Sequence, residues 1–181
     1  MAPTESENKV ELFNIKRSEG GGLAWGSFMH QVLQKLIEKP KNMDQFIERN
    51  LEKYDMKIER KEEVRKIINN FQNTEVWKRI QNSEEILTEV PFTIKLAPDY
   101  QILSILGKDT EVPVILSGII DLIFKEDEEW VIIDYKTDRV PNSEDLSRLE
   151  EIYQKQVEVH SLVWEELCGE KVKEKRIEFV N

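Results

Sequence analysis

Residues 114–137 read VILSGIIDLIFKEDEEWVIIDYKT, and this stretch decides the fold. Two apolar runs rich in β-branched residues, Val114–Phe124 and Trp130–Thr137, flank the acidic segment Lys125–Glu129. Strand-like runs on either side of a short polar segment predict an antiparallel β-hairpin. Everything inferred about the rest of the chain is arranged around this hairpin.

The register of the hairpin brings two carboxylates together. If the turn lies between Asp127 and Glu128, counting back along both strands sets Asp121 directly opposite Asp134. Because strand side chains alternate, Lys136 falls on the same face as both carboxylates. Like charges that face each other across a sheet destabilise it, and a shielded charge needs a counterion, a proton or a metal. Lys136 neutralises one carboxylate and not two, so the pattern predicts a divalent metal.

The opposite face of the hairpin is predicted to be apolar. Alternation assigns to it Ile120, Leu122, Phe124, Val131, Ile133 and Tyr135. The alternative for the charged face is a solvated Asp–Lys pair on an edge strand. Strands that are apolar on both faces are typical of central strands, which favours the metal site.

Composition restricts the class of protein. The chain has 181 residues, of which 39% are hydrophobic and 34% charged, as in one globular domain. No apolar run is long enough to cross a bilayer and the N-terminus resembles no targeting peptide, so we expect a cytoplasmic protein without a membrane partner. The net charge of −10 argues against a stand-alone nucleic-acid binder, because phosphate contacts require Lys and Arg. An enzyme that receives its affinity from metal ions or from another domain escapes that objection.

Several kinds of site are excluded by missing residues. The single cysteine, Cys168, excludes a disulfide framework and a cysteine-rich zinc or iron–sulfur site within one chain. Gly107–Lys108 lacks the earlier glycine and the following Ser or Thr of a phosphate-binding loop, so no ATP site of that kind is predicted. The chain contains no GxSxG or HExxH motif, and we expect neither serine hydrolase nor zinc protease chemistry.

The order of predicted elements indicates an α/β domain. Residues 1–22 are expected to be a flexible lead-in, and residues 23–181 a single domain with a helical insert at about residues 42–82. The remaining predicted elements are a helix at Trp25–Lys39, strands at Ile86–Ala97 and Gln101–Leu106, the hairpin, a long helix from 141–143 to about 167, and a strand at Val172–Val180. This order predicts a mixed central sheet flanked by helices.

Four polar residues in these elements remain open on pattern alone. His30 lies at the margin of an apolar helix stripe, as a packing residue or as a metal ligand. Glu89, near the middle of a strand, is either a surface carboxylate or part of a site. Gln156 and His160 occupy consecutive core positions of the long helix, where buried polar groups need partners. They are either a structural hydrogen-bonding pair or the support of an active site.

Five short motifs occur in a fixed order along the chain. They are GSFMH at residues 26–30, EVPF at 89–92, GIIDLIF at 118–124, DYKTDRV at 134–140, and Gln156 in the long helix. Together they resemble the RecB-type branch of the restriction-endonuclease-like PD-(D/E)xK superfamily, over residues 23–180. The resemblance is strongest to the C-terminal nuclease domain of AddA-type helicase–nuclease proteins. One position departs from the pattern, since His160 stands where the family has tyrosine.

The resemblance implies a restriction-endonuclease-like fold and a metal-dependent deoxyribonuclease that hydrolyses phosphodiesters exonucleolytically during double-strand-break repair. Mg²⁺ is the implied cofactor, with Mn²⁺ as an alternative and no iron–sulfur cluster. The implied metal ligands are His30, Asp121, Asp134 and the backbone carbonyl of Tyr135. The implied catalytic residues are Asp121, Asp134, Lys136, Gln156 and Glu89.

The implied partners are a single DNA strand, a helicase domain on the same polypeptide that delivers it, and an AddB-like second subunit in a bacterial cell. Two other interpretations remain. A non-catalytic scaffold of the same fold would normally have lost an acidic ligand or the lysine, whereas Asp121, Asp134 and Lys136 are all present. A stand-alone exonuclease of the lambda type is less favoured, because the EVPF and DYKTDRV segments and the acidic composition suit a tethered domain.

Overall fold

The structure, a computed structural model, describes residues 8–11, 22–137 and 143–181, without the side chains of 8–11 and 143–149. Its elements are β1 (Asn8–Glu11), α1 (Gly22–Ile37), α2 (Met43–Lys53), a 3₁₀ turn (Ile58–Arg60), α3 (Lys61–Gln72), α4 (Glu75–Asn82), β2 (Glu85–Leu96), α5 (Gln101–Ile105), β3 (Val114–Glu126), β4 (Glu129–Lys136), α6 (Ser143–Cys168) and β5 (Val172–Phe179). No helix in these ranges is both long and apolar enough to cross a bilayer.

One mixed sheet is built around β3. Strand β2 runs antiparallel to β3 along residues 114–125, which occupies one edge of β3 over nearly its whole length. The other edge is shared, because β1 pairs in parallel with residues 114–117 and β4 pairs antiparallel with residues 122–126. Strand β5 then adds in parallel to β4. The predicted mixed sheet flanked by helices, a restriction-endonuclease-like core, is confirmed.

The hairpin has the predicted register. Phe124 pairs with Val131, and Glu126 pairs with Glu129 across the turn. Regular pairing between β3 and β4 ends at Leu122 and Ile133, one residue short of the two aspartates. The strands therefore separate where the acidic side chains begin, which leaves room for them on one end of the sheet.

Two apolar layers enclose the sheet. Helix α1 presents Phe28, Met29, Val32 and Leu33 at helical spacing, and these side chains pack with α2–α4 against one face of the hairpin. The other face carries Ile132, which packs in a cluster with side chains of α5 and α6. The predicted helical insert corresponds to α2–α4, which lie between α1 and β2 in the chain.

The alternation of β3 shifts by one residue at Asp121. Leu122 and Phe124 belong to the cluster under α1–α4, whereas Ile120 and Ile123 belong to the cluster under α5 and α6. The prediction that Ile120 shares a face with Leu122 is therefore wrong, because it assumed unbroken alternation along the strand. The shift falls at the residue on which the predicted site depends.

Strand β2 is irregular at the same level. Glu89 has a φ of 51°, a left-handed backbone conformation that side-chain-bearing residues rarely adopt in a strand. The backbone pairs immediately before and after it keep one register with β3, so Glu89 lies opposite Asp121 where regular pairing is interrupted. Backbone strain of this kind is often found at functional sites.

The structure corrects two predicted segments. The lead-in prediction is wrong for Asn8–Glu11, which form β1, because an edge strand is held by backbone bonds to β3 and needs no apolar pattern. The rest of residues 1–21 lies outside the described residues. Gln101–Leu106 was predicted as a strand, but residues 101–105 form α5 and Gly107, with a φ of 62°, follows as a left-handed cap. A short apolar run does not distinguish the two structures.

Candidate metal and catalytic site

Three side chains from three elements converge at the irregular end of the sheet. Nδ1 of His30, on α1, lies 3.3 Å from Oδ1 of Asp121 on β3 and 3.7 Å from Oε1 of Glu89 on β2. One ligand atom from each residue lies within 4.8 Å of the other two. An imidazole and two carboxylates at these separations form a donor set that suits a divalent cation.

Backbone bonds of Tyr135 hold this cluster together. Its N–H donates to Oδ2 of Asp121 at 2.8 Å, so the carboxylate replaces the partner strand where β3–β4 pairing stops. Its carbonyl accepts a hydrogen bond from Nε2 of His30 at 3.2 Å. The carbonyl predicted as a metal ligand is therefore already bonded to the imidazole, which also fixes the ring with Nδ1 towards the carboxylates.

A second group lies beside the first, on the face of β4 towards α6. Nζ of Lys136 is 2.5 Å from Oδ2 of Asp134, donates to Oε1 of Gln156 at 2.9 Å, and lies 4.5 Å from the ring centre of Tyr153. Asp134 is fully buried, and neither of its oxygens takes part in a hydrogen bond of regular geometry with the described residues. A buried carboxylate with unused acceptors is costly unless a cation or donor joins it.

The electrostatics of the two groups differ. Burial lowers the pKa of His30, but hydrogen bonds and charges from Asp121 and then Glu89 outweigh it and raise that pKa to about 10. Burial raises the pKa of Asp121, but His30 and then Lys136 hold it below its usual value. In the cation-free protein, protonated His30 therefore serves as the counterion of the cluster.

Asp134 has no comparable compensation. Burial, followed by the charge of Asp121, raises its pKa to about 7, although Lys136 acts in the opposite direction. At neutral pH the ionised form of Asp134 is disfavoured in the folded protein. A divalent cation near these carboxylates would relieve that cost, which is the fit between the residues present and a metal.

Solvent reaches the cluster through a cavity of about 210 Å³. It is lined by Gly26, Ser27, His30, Gln31 and Glu89. Gly26 and His30 lie one turn apart on α1, so the GSFMH segment forms one wall of the cavity. The site is therefore open to a ligand on the α1 side and closed by the protein on the α6 side.

The predicted site residues fall into two adjacent sets. The first contains His30, Asp121 and Glu89, and the second contains Asp134, Lys136 and Gln156. Glu89, which the motif resemblance placed among the catalytic residues, lies within the cluster of possible ligands instead of Asp134. The assignment of individual ligands stays a prediction.

Two features of the site were missed by sequence reasoning. The ring of Tyr153 lies against Lys136, and the only signal for it was an aromatic residue three positions before Gln156 on the same helix face. The positive φ of Glu89 had no signal in the residue pattern. Both shape the surroundings of residues that the motifs did identify.

His160, the departure from the family pattern, is buried one turn after Gln156 on α6. Its ring packs against Phe92 at 5.8 Å between centres, and its Nδ1 has no hydrogen-bond partner in the part of the chain that the structure describes. Burial lowers the pKa of His160 to about 4, so the imidazole is neutral at physiological pH. It supplies a packed, uncharged wall behind the lysine.

Comparison with known proteins agrees with the motifs. Residues 10–180 match the family model described as the PD-(D/E)XK nuclease superfamily. The chain is 35% identical over 175 residues to a subunit of the ATP-dependent helicase/nuclease of Thermoanaerobacter sp. (strain X514), covering 93% of this chain and 14% of that protein. It is 32% identical over 193 residues to the protein of the same name from Clostridium botulinum (strain Loch Maree / Type A3), covering 94% of this chain. The chain spans 14% of the length of both relatives.

Proposed function

This chain belongs to the PD-(D/E)XK nuclease superfamily, and from that premise we propose that it is a metal-dependent DNA nuclease that hydrolyses phosphodiester bonds. The observation that carries the proposal is the convergence of His30, Glu89 and Asp121 beside the Asp134–Lys136 pair. A non-catalytic scaffold has no need of a buried, incompletely bonded carboxylate next to a buried lysine.

Mg²⁺ is the proposed cofactor, with Mn²⁺ as a substitute. Carboxylate oxygens suit both ions, and a single imidazole is compatible with them. Asp121 is the proposed central ligand, with His30, Glu89 and Asp134 around it and the Tyr135 carbonyl as a further donor. When bound, the ion supplies a Lewis acid that polarises the scissile phosphate and activates water.

The chain's own residues then supply position and charge. Lys136 is held from three sides, by Asp134, Gln156 and the ring of Tyr153, so its ammonium group is fixed before substrate arrives. A prepositioned cation stabilises the negative charge that develops on the phosphate in the transition state. Gln156 is a positioning residue, because it acts through the lysine that it accepts a hydrogen bond from.

The wider assembly is proposed from the names of the relatives. Both are described as belonging to an ATP-dependent helicase/nuclease, and this chain matches only a small part of each. We infer that the domain receives a single DNA strand from a helicase domain on the same polypeptide and works exonucleolytically with an AddB-like subunit. The net charge of −10 supports delivery by a motor over independent capture of DNA.

The test is cleavage of labelled single-stranded DNA by the purified chain in Mg²⁺ or Mn²⁺. The wild type and the control Glu126→Gln, at the far end of the same hairpin, should cut, whereas Asp121→Asn should not. Cleavage that persists in EDTA, or equal cleavage by Asp121→Asn, would overturn the proposal. DNA binding without cleavage in every condition would favour the scaffold instead.

A further inference from the structure

A second cavity adjoins the proposed active site. It measures about 150 Å³ and is lined by Trp25, Glu63, Lys66, Ile67, Asn70, Thr137 and Asn181. Trp25 directly precedes Gly26, which lines the cavity above His30, and Thr137 directly follows Lys136. The two cavities therefore share neighbouring residues of α1, and the second one also reaches the end of β4.

The polar lining is rich in hydrogen-bond donors. Lys66 and Asn70 lie one turn apart on the same face of α3, with buried Ile67 between them as an apolar floor. Thr137 lies at the opposite wall, where the N–H of Val180 donates to the carbonyl of Lys136 at 2.8 Å and fixes the chain. An ammonium, an amide and a hydroxyl around one small space are the groups that bind phosphate oxygens in DNA complexes.

Lys66 is available for a ligand because nearby acids are engaged elsewhere. Glu62, at the i−4 position that usually pairs with a lysine on a helix, contacts Arg65 at 2.5 Å. Glu63 accepts a hydrogen bond from Nε of Arg60 at 2.8 Å, and that guanidinium group also lies 3.6 Å from the ring centre of Trp25. Within the described ranges Lys66 has no acidic partner, although the chain as a whole is acidic.

We propose that this cavity binds a phosphodiester group of the single strand, next to the one being cut. The proposal rests on the proposed nuclease function for its substrate and adds a subsite that holds the strand in register. Lys66 supplies the charge, and Asn70 and Thr137 supply further donors. Contacts of this kind position a nucleic acid without reading its sequence.

The variants are Lys66→Gln, which removes the ammonium group, and Asn70→Asp, which adds a negative charge to the same wall. Both positions are exposed, so the fold should tolerate the changes. The matched control is Lys78→Gln, an exposed lysine on α4, whose neighbour Arg79 contacts the turn end of the hairpin. Substrates are an oligothymidylate and bis(p-nitrophenyl) phosphate, a phosphodiester with no neighbouring phosphate.

Lys66→Gln should raise the KM for the oligomer about tenfold, the usual effect of losing a hydrogen bond to a charged group, and leave kcat unchanged. Asn70→Asp should raise it at least as much. Cleavage of bis(p-nitrophenyl) phosphate should match the wild type, and the salt slope of oligomer binding should fall by about 0.7. Lys78→Gln should change none of these.

If Lys66→Gln and Lys78→Gln behave alike while the wild type cuts DNA, the subsite is overturned and the proposed function stands. If the wild type cuts neither substrate, the proposed function fails and binding alone decides the subsite. A lower salt slope for Lys66→Gln than for Lys78→Gln, measured by fluorescence anisotropy, would then support the subsite, and equal slopes would overturn it.

Discussion

The two ends of the β3–β4 hairpin carry the same kinds of acidic residue in opposite electrostatic settings. At the turn, Arg79 donates hydrogen bonds to Glu126 at 2.9 and 3.0 Å and to Glu174 at 2.7 and 3.1 Å. Lys173 lies a further 3.1 Å from Glu126. The bond from Arg79 is the largest of several influences that lower the pKa of Glu126 to about 2. Both carboxylates here are neutralised by the protein itself.

The open end of the hairpin lacks this balance. Asp134 has a pKa raised to about 7 by burial and by Asp121, and its oxygens form no regular hydrogen bond with described residues. The lesson is that a cluster of acids does not by itself indicate a metal site. The open end differs because its carboxylates are buried and incompletely neutralised, so that an added cation would stabilise the folded protein.

The largest expected effect separates the lysines of the two ends. Lys136→Ala should lower the single-turnover rate of DNA cleavage by about 10²–10³, the usual cost of losing one transition-state donor. Lys173→Ala, which removes a lysine from the turn network, should cut at the wild-type rate. Circular dichroism would verify that both variants are folded. A Lys136→Ala rate within threefold of the wild type would show that this lysine is structural.

Stability should respond at the turn end. Arg79→Met leaves Glu126 and Glu174 beside each other without their shared partner, and should lower the free energy of unfolding by about 2 kcal/mol. Cleavage per folded molecule should be unchanged, because the network is remote from the chemistry. Urea denaturation measures the first quantity and single-turnover cleavage the second. Unaltered stability would mean that solvent screens these ion pairs.

The positioning role of Gln156 predicts a smaller loss. Gln156→Ala should reduce kcat about tenfold through less constrained placement of Lys136, with little change in the KM for DNA. Gln154→Ala, an exposed neighbour on α6, is the matched control and should be inert. Gln156→Glu should retain the placement of the lysine and recover part of the rate. A rise in KM alone would instead assign Gln156 to DNA binding.

Opposite pH dependences of stability are the smallest effect, measured in EDTA. The pKa of Asp134 is raised, so the folded protein keeps a proton that the unfolded chain loses, and stability falls as pH rises from about 4 to 7, by at most about 1.4 kcal/mol per pH unit. Asp134→Asn should remove this fall. The pKa of Glu126 is lowered, so its stabilisation is present above about 4.5 and is lost as pH falls towards 2.

Glu126→Gln should accordingly remove part of the acid-induced loss of stability and leave the neutral range unchanged. Thermal unfolding of both variants and the wild type across the pH range distinguishes the two ends. Parallel stability curves for Asp134→Asn and the wild type above pH 5 would contradict the account of the buried aspartate.

Most of the fold follows from local pattern. The hairpin register, the helix stripes and the order of elements depend on periodicity and turn position, which the residues express directly. The short strand β1 could not be predicted, because its pairing depends on a distant edge of β3. The shift at Asp121 was equally invisible, since alternation holds on each side of it and only the packing of Ile120 reveals the change.

The site was predictable in its residues more than in its grouping. Motif order identified His30, Glu89, Asp121, Asp134 and Lys136, and the hairpin placed the last three near one another. Sequence could not show that Glu89 turns towards His30, because that depends on one backbone angle. It could not show either that the Tyr135 carbonyl is already bonded to the imidazole.

The most direct measurement is Mn²⁺ binding to the purified chain by electron paramagnetic resonance, without DNA. The wild type and Glu126→Gln should bind the ion with equal affinity, and Asp121→Asn should bind it at least tenfold more weakly, since it removes the central carboxylate of the cluster. Undiminished binding by Asp121→Asn, or an equal loss in Glu126→Gln, would contradict the assignment of the open end of the hairpin as the metal site.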